Sequence, residues 1–591
     1  MPNAALGLMS AGIGSVPAEQ TYLDASQGNR TYAQLYDSPL PSVRLRREAG
    51  GVAVSAATWR RIRERASSAP ADLVPGALGS ALARAGVAVR AAPHARAAAL
   101  VGVNEGGRIA EASARCDSWR ETHRIGGKRA KPAACRGLTV IRANVRDLQA
   151  LTASLRGRDL LVAIAAPPAS PNHFLPIAIA GHRFHGELTS DSTHVAGLVD
   201  STDIAPTILE RFGVSAPSAV AGQPITASGQ ADASGLGNLD ARLAAIPGRR
   251  SAVIGTSFAA WAIGAALIAV GLGPRGPRLA LPLLACTVAY LPAVLLVTAA
   301  LEPGATAETL ILALGAPALG LISVWLAGAW GGLAIAAAAS VGSYAIDIIA
   351  GSHLTIRSLL GPDPEHGSRF YGMGDQLEAI VAPLVSIGVA AALTARRAAV
   401  APCAAALAFA VAALASVVAF APGRFGADVG LAIDVPVGAA VAVLVCLRER
   451  GRVRGLAVVL LVPLVALAGL ALIDLATAGD AHLTRSVLNA GGLHDLGQVA
   501  ERRLRLSADN FGGYADSPLL WLAAAGIVAA LVGRGGVADW FAQRRYAWAG
   551  FLGAIAATAV AVLVNDSGGV MLVIGTVPIS LTAAVAWATA R

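Results

Sequence analysis

Charge is what this sequence has least of. Only 14% of its 591 residues are Asp, Glu, Lys or Arg, while 55% are hydrophobic. A soluble domain of ordinary usage is about 25% charged and 45–50% apolar. A wholly soluble enzyme, a disordered chain and a coiled coil are thereby excluded. Five cysteines in that length exclude a small disulfide-stapled scaffold. Lysine is nearly missing: Lys128 and Lys131 are the only two, so the formal net charge of +10 is an arginine charge. Aromatics make up 5%, and no basic stripe interleaves with them as a nucleic-acid surface would require. Many arginines fall instead in short loops between apolar runs, where membrane topology accounts for them.

The character of the chain changes near 225–250. Residues 1–225 mix short apolar runs with Gly, Pro and Ser turns and read as an α/β domain. Residues 226–250, rich in Ser, Gly and Ala, read as a linker. From 251 to 591 apolar runs of about 20 residues follow one another, each able to cross a ~30 Å hydrocarbon core as a helix. Eleven are counted, near 252–272, 279–300, 308–328, 331–350, 377–395, 400–420, 427–446, 455–475, 517–533, 547–564 and 570–590. The expectation is an all-α polytopic membrane domain of about eleven transmembrane helices. One set of alternate loops holds twelve arginines, among them Arg275, Arg396, Arg448 and Arg544, against seven in the other. By the positive-inside rule the richer set and the C-terminus are cytoplasmic, and the N-terminal domain is extracytoplasmic. Arg249 and Arg250 argue mildly the other way.

Cysteine usage suits an exported domain. Cys116 and Cys135, the only two in the first half, either form a disulfide in an oxidising compartment or remain two thiols. Cys286, Cys403 and Cys446 lie in or beside apolar runs as small fillers. The N-terminal stretch is too short for a signal peptide and has no basic start. Either the first span inserts with N-terminal translocation, or the start of the chain is missing, which is the preferred expectation.

In the first half, 158–166 and 175–180 read as strands, 138–142 as a third, and 145–155 as a helix, an order that points to an α/β sheet. The segment 189–213 is more specific. Gly197-Leu198-Val199, Asp203-Ile204-Ala205-Pro206-Thr207 and Ile208-Leu209 through Gly213 predict a helix capped by Asp203, with Pro206 in its first turn, Ile208, Leu209 and Phe212 on the core, and Gly213 ending it. This segment resembles a late stretch of the alkaline phosphatase/sulfatase superfamily, and the resemblance covers about 1–225. Residues 22–30 look like the nucleophile region of envelope-associated relatives, which tend to have Thr where Asp24 stands. The resemblance implies hydrolysis or transfer of phosphate or sulfate esters with a Ser/Thr nucleophile and one or two divalent metals. Asp24 or Ser26 would then be the nucleophile and His194 a surviving ligand, with zinc or manganese as the cofactor. The chain departs from that pattern. The superfamily's first metal-binding Asp would precede this start. Ala165 and Ala166 stand where an Asp-His pair is usual, leaving Asp24, Ser26, His173, His182, His185, Asp191, His194 and Asp200 scattered. The preferred expectation is a degenerate domain with no metal.

In the second half the polar motifs gather on the outer side. They are RFYGMGD at 369–375, RFGAD at 424–428, the loop around His482, and NDSG at 565–568. Ionisable groups inside spans cost about 2.5–3.5 kcal/mol each on insertion scales and mark function; Asp347, Glu378, Asp434, Asp474 and Asp566 sit at outer helix ends, with Arg369 and Arg424 as natural partners. Arg369, Tyr371, Asp375, Arg424, Asp428, Asp434, His482 and Asp566 are the candidate pocket, for an anionic head group or a coupled ion. RFYGMGD and NDSG are similar to motifs of a bacterial polytopic family that joins a phosphatase-like outer domain to a multi-span bundle, with Asp375 where the family has Asn. That implies a protein of the bacterial cytoplasmic membrane, in contact with its lipids. Three functions stay open. The first, preferred, is a non-catalytic outer domain over a pocket for an anionic or lipid-linked envelope precursor. The others are a metal-dependent phosphatase, sulfatase or phospho-head-group transferase, and a secondary transporter.

Overall fold

Phe174–Ala180 is apolar at nearly every position, the pattern of a strand covered on both faces, and in the computed structural model it lies inside a sheet with Leu175, Ile177 and Ile179 buried. The structure describes residues 11–17, 21–28, 45–48, 51–68, 73–91, 96–110, 137–157, 159–165, 174–181, 183–362, 369–448, 451–476, 534–565 and 567–590. The chain divides into two units, Met1–Ala244 with Asp363–Phe370, and Ala245–Pro362 with Tyr371–Arg591.

The first unit contains strands β1 (Ala11–Pro17), β2 (Leu45–Glu48), β3 (Gly51–Val54), β4 (Ala88–Ala91), β5 (Arg108–Ala110), β6 (Gly137–Val140), β7 (Leu161–Ile164), β8 (Phe174–Ala180), β9 (Gly186–Thr189) and β10 (Thr226–Ser228). Its helices are α1 (Thr21–Gln27), α2 (Ala56–Ser68), α3 (Ala77–Arg84), α4 (Val145–Ser154) and α5 (Ile204–Phe212). The main sheet has the order β10-β9-β1-β8-β7. It is mixed: β1 runs antiparallel to β8, from Ala11 opposite Ala180 to Pro17 opposite Phe174, and parallel to β9. The strand expected at 138–142 is β6, which pairs with β4 in a separate two-stranded sheet. Its following helix α4 opens on a capping box between Asn144 and Asp147, a device that satisfies two orphan backbone donors.

A core of Leu78, Leu82, Ile177, Ile179, Leu188, Val199, Ile204 and Leu209 gathers α3, α5 and the main sheet. Burying each such side chain contributes about 1.5–3 kcal/mol. A second cluster of Leu23, Trp59, Ile62, Leu100 and Ile109 lies under α1 and α2.

The division between the two units, at Ala244–Ala245, falls within the expected linker at 226–250, but that segment has regular structure. Residues 226–228 are strand β10, and α6 (Ala233–Gly271) begins soon after. Within its first half Leu236, Leu239, Leu243 and Ile246 are all buried. Their spacing of three and four residues is a helical stripe, hidden in the sequence by the Ser, Gly and Ala around it.

The second unit is helical. After α6 come α7 (Gly276–Leu301), α8 (Ala305–Ile349), α9 (Asp375–Ala395), α10 (Pro402–Phe420), α11 (Leu431–Leu447), α12 (Arg452–Ala476), α13 (Arg534–Trp540), α14 (Arg545–Val564) and α15 (Gly568–Thr589). Among the described residues eight helices are long and apolar enough to cross a membrane, and α11, at 17 residues, is a shorter apolar helix. The runs expected at 308–328 and 331–350 both fall in α8, where Gly328 breaks the helix with φ 70° and ψ 179°, a conformation open essentially to glycine alone. The chain folds back there: a Cβ on Gly332 would lie 2.9 Å from the Val324 nitrogen, far closer than eight residues of straight helix allow. The run expected at 517–533 lies outside the described residues.

Arg249 and Arg250, which count against the expected orientation, have partners in this unit. Arg249 pairs with the buried Glu308 at 3.5 Å and donates to the Pro303 carbonyl at 3.1 Å. Arg250 donates to the carbonyls of Leu359 at 2.7 Å and Gly361 at 3.1 Å.

Candidate functional site

In the second unit, apolar helices carry their polar residues at one end. Asp375 and Glu378 stand in the first turn of α9, Asp434 in the first turn of α11, and Asn565 follows the last turn of α14. Acids in first turns are favoured by the helix dipole. The loops before α9 and α11 interlock. The Met373 N–H donates to the Gly426 carbonyl at 2.9 Å, the Tyr371 hydroxyl to the Gly423 carbonyl, and the Gly372 N–H to Ser352 Oγ at 2.9 Å. Asp428 accepts from the Leu431 N–H at 3.2 Å, so its side chain stands where it can cap α11. Its neighbour Ala427 is held at φ 53°, a left-handed conformation unusual for a residue with a side chain. The loop after α8 is fixed by Asp347, whose carboxylate accepts from the N–H of Leu354, the N–H of Thr355 and Thr355 Oγ1 at 2.7–3.1 Å.

These contacts bring a group of acids together. Asn565 Nδ2 donates to Glu378 Oε1 at 3.0 Å. Glu378 and Asp434 are fully buried, and Asp428 is 3% exposed. Oε2 of Glu378 and both carboxyl oxygens of Asp434 receive no well-formed hydrogen bond. The polar groups nearest the Asp434 carboxyl are the Glu378 carboxyl and the backbone N–H groups of Asp434 and Val435. The charges that act on Glu378 are Asp428, Asp434 and Asp375, and the charge that acts on Asp434 is Asp428. All are negative. An enclosed ion without a counter-charge costs several kcal/mol, and two carboxylates sharing one enclosure cannot both stay ionised. Among the described residues no cation is shown to act on the pair, so the enclosure favours a protonated carboxyl or a bound cation over two free carboxylates.

Of the expected pocket, Tyr371, Asp375, Asp428 and Asp434 lie in this region. Arg424 does not serve as a partner to the acids: it is exposed, with its guanidinium 4.9 Å from the Phe425 ring centroid. Arg369 is half-buried and belongs to the segment grouped with the first unit. His482 and Asp566 lie outside the described residues. The residue that meets Glu378 is Asn565, one position before Asp566, and an amide ending an apolar helix was the available signal for it.

The first unit holds a second buried polar network. Asp24 and Ser26 sit on α1, 6% and 0% exposed. Asp24 accepts from Ser201 Oγ at 2.9 Å, and Ser201 Oγ is also 3.2 Å from Asp200 Oδ1. Ser26 Oγ is enclosed without a hydrogen-bond partner. His194 is half-buried at φ 53°. The expected cap of α5 takes a different form. A short 3-10 turn, Ser201–Asp203, precedes the helix, and Asp200 caps that turn. Asp203 instead accepts from Ser190 Oγ and Ser192 Oγ, both at 2.5 Å, and from the N–H groups of Asp200 and Gln223, both at 2.9 Å. It knits together the turn, the β9 end and the 223 strand approach. Burial, then the Asp200 carboxylate, push the Asp203 carboxyl up to about 7 against the pull of Ser190, Ser192 and Gln223. Gly213, at φ 66°, closes α5.

Among the described residues no group of three or more His, Cys, Asp or Glu is arranged to hold a metal ion. His173, His182, Cys116 and Cys135 lie outside the described residues. No protein-family model, curated protein or solved structure matches the chain.

Proposed function

We propose that the chain is a multi-pass membrane carrier of the secondary type, in which uptake of positive charge at the Glu378–Asp434 pair is coupled to movement of a solute. One observation carries this reading: two adjacent carboxyl groups, buried in the protein, on which the charges that act among the described residues are those of further acids. Ionisable groups inside an apolar bundle are expensive and mark ion pathways and proton relays. Irregular backbone beside helix ends, as at 371–374 and 421–430, is where carriers place coupling ions. A pocket for an anionic or lipid-linked envelope precursor would need basic side chains at its centre, and the exposed Arg424 weighs against that version. The phosphatase-like first unit is read as a non-catalytic accessory domain, because Asp24, Asp200 and Asp203 are engaged by neighbouring hydroxyl and backbone groups. An extracytoplasmic position for it rests on the arginine count, which is firmer once Arg249 and Arg250 are accounted for by protein contacts.

The test uses the full chain in proteoliposomes on a solid-supported membrane, challenged in turn with a pH jump, a sodium jump and a potassium jump. At least one should give a transient charge movement that Asp434→Asn abolishes. Silence to all three, or currents unchanged in the variant, would refute the carrier reading.

A further inference from the structure

We propose that the coupling ion is a proton, held between the carboxyl groups of Glu378 and Asp434 and delivered through Asp375 and Asp428. The inference rests on the carrier reading and names its ion. It starts from the hydrogen-bond inventory. Asn565 engages one oxygen of Glu378, and Oε2 has no well-formed hydrogen bond; the Asp434 carboxyl is fully buried, with the Glu378 carboxyl and the N–H groups of Asp434 and Val435 beside it but no well-formed hydrogen bond to either oxygen. Two fully buried carboxyl groups side by side, with no well-formed donor at Glu378 Oε2 or at either Asp434 oxygen, are short of hydrogen. One proton between the two carboxyl groups supplies the missing O–H···O bond and brings the pair from two negative charges to one. A metal ion would need more oxygen ligands than this. Calcium takes six to eight, and magnesium needs near-octahedral geometry, whereas no group of three or more acids is arranged around a metal position among the described residues.

The groups facing the pair also form a graded approach. Asp375, in the first turn of α9, is partly exposed, Asp428 is 3% exposed, and Glu378 and Asp434 are fully buried. Among the described residues Asp375 on α9, Asp428 in the loop before α11, Asp434 on α11 and Asn565 at the end of α14 are the titratable and polar groups that bear on Glu378. A proton reaching Asp375 or Asp428 from water needs one further transfer to the pair. The O–H bond broken on the donor acid is remade on Glu378 or Asp434, and the donor is left as a carboxylate ready for the next proton. Gly430 makes the enclosure possible: a Cβ there would lie 2.8 Å from Glu378 Oε1 and 2.6 Å from Asn565 Oδ1.

The experiment combines infrared difference spectroscopy of the full chain in liposomes with proton uptake reported by an impermeant pH dye. With every sample carrying Asp203→Asn, which removes the other buried carboxyl that titrates near neutrality, a pH jump should bring up a protonated-carboxyl band and one proton per chain more than either pair variant takes up, because the two macroscopic steps of a coupled pair are held far apart. Glu378→Gln keeps an acceptor for Asn565, and Asp434→Asn keeps the side-chain volume; each should lose both the band and the proton. Asp428→Asn retains an oxygen to cap α11, so the band should persist with slower uptake. If a sodium or potassium jump moves charge while the pH jump yields no carboxyl band, the carrier reading stands and the proton assignment falls. A band that survives in both Glu378→Gln and Asp434→Asn also overturns the assignment.

Discussion

Gly430→Ala is the sharpest test of the site's geometry, because its backbone gives no reason to expect harm. Gly430 has φ −58° and ψ −49°, which any residue adopts, and alanine there would ordinarily gain stability through the unfolded state, by about 0.4–1 kcal/mol. The surroundings reverse the sign. A Cβ would stand 2.6 Å from Asn565 Oδ1, 2.8 Å from Glu378 Oε1 and 2.9 Å from Asn565 Nδ2. All three belong to the one hydrogen bond between α9 and the end of α14, so they cannot give way independently. Restoring ordinary contact distances moves the amide by several tenths of an ångström and stretches that bond beyond its 3.0 Å. Overpacking costs about 1–3 kcal/mol and a hydrogen bond to a charged group about 1.5–3 kcal/mol. With the alanine gain set against them, a net loss of about 1.5–5.5 kcal/mol is expected. The control is Gly342→Ala in α8, where a Cβ meets nothing within 4 Å. Thermal denaturation of both variants in the same detergent is the assay. Gly430→Ala should melt well below wild type and Gly342→Ala at or above it. Equal melting of the two would refute the close contact of Glu378, Gly430 and Asn565, and the enclosure argument with it.

Three further outcomes follow from other parts of the molecule. Gly328→Ala forces a side chain into a backbone region that costs about 1–3 kcal/mol, so the variant should melt below wild type; an unchanged melt would mean that α8 does not fold back at 328. Asp203 keeps its proton in the folded state up to about 7, against 3.8 for the free side chain, so between those values the folded state binds more protons than the unfolded one and stability falls as pH rises. Pulse proteolysis of the first unit in urea should therefore show lower stability at pH 8 than at pH 5, with Asp203→Asn flattening that difference; a wild-type stability that rises over this interval would refute it. Tyr371→Cys and Ser567→Cys, each in a background without other cysteines, should react with an impermeant maleimide from the same side of the membrane, since the Tyr371 loop and the Asn565 turn both adjoin the start of α9 and α11; reaction from opposite sides would separate the site's two halves.

What sequence reasoning reached, and what it missed, differ in physical kind. Strands at 161–164 and 174–180 and the helix ending at Gly213 were legible because continuous apolar runs and a glycine stop are local signals. The helix beginning at Ala233 was misread because small residues dilute its buried stripe of Leu236, Leu239, Leu243 and Ile246. In the helical unit the apolar runs predict which residues lie at helix ends, and that placement points to Tyr371, Asp375, Asp428 and Asp434, the first two also through the RFYGMGD motif. Nothing local says which helix end stands beside which. The bond that defines the centre joins Asn565 to Glu378 across 187 positions of chain, and the choice of Asp566 over Asn565 could not be made from the NDSG string. Arg424 misleads for the same reason: a guanidinium near an acid in the sequence need not neutralise it, and Arg424 lies over Phe425 instead. Position along the membrane normal follows from where an apolar run ends, whereas charge balance depends on lateral neighbours. It is the lateral arrangement that sets Glu378 and Asp434 beside each other with acids as the charges acting on them among the described residues, and so it is the arrangement, rather than the presence of acids at helix ends, on which the proposed proton site rests.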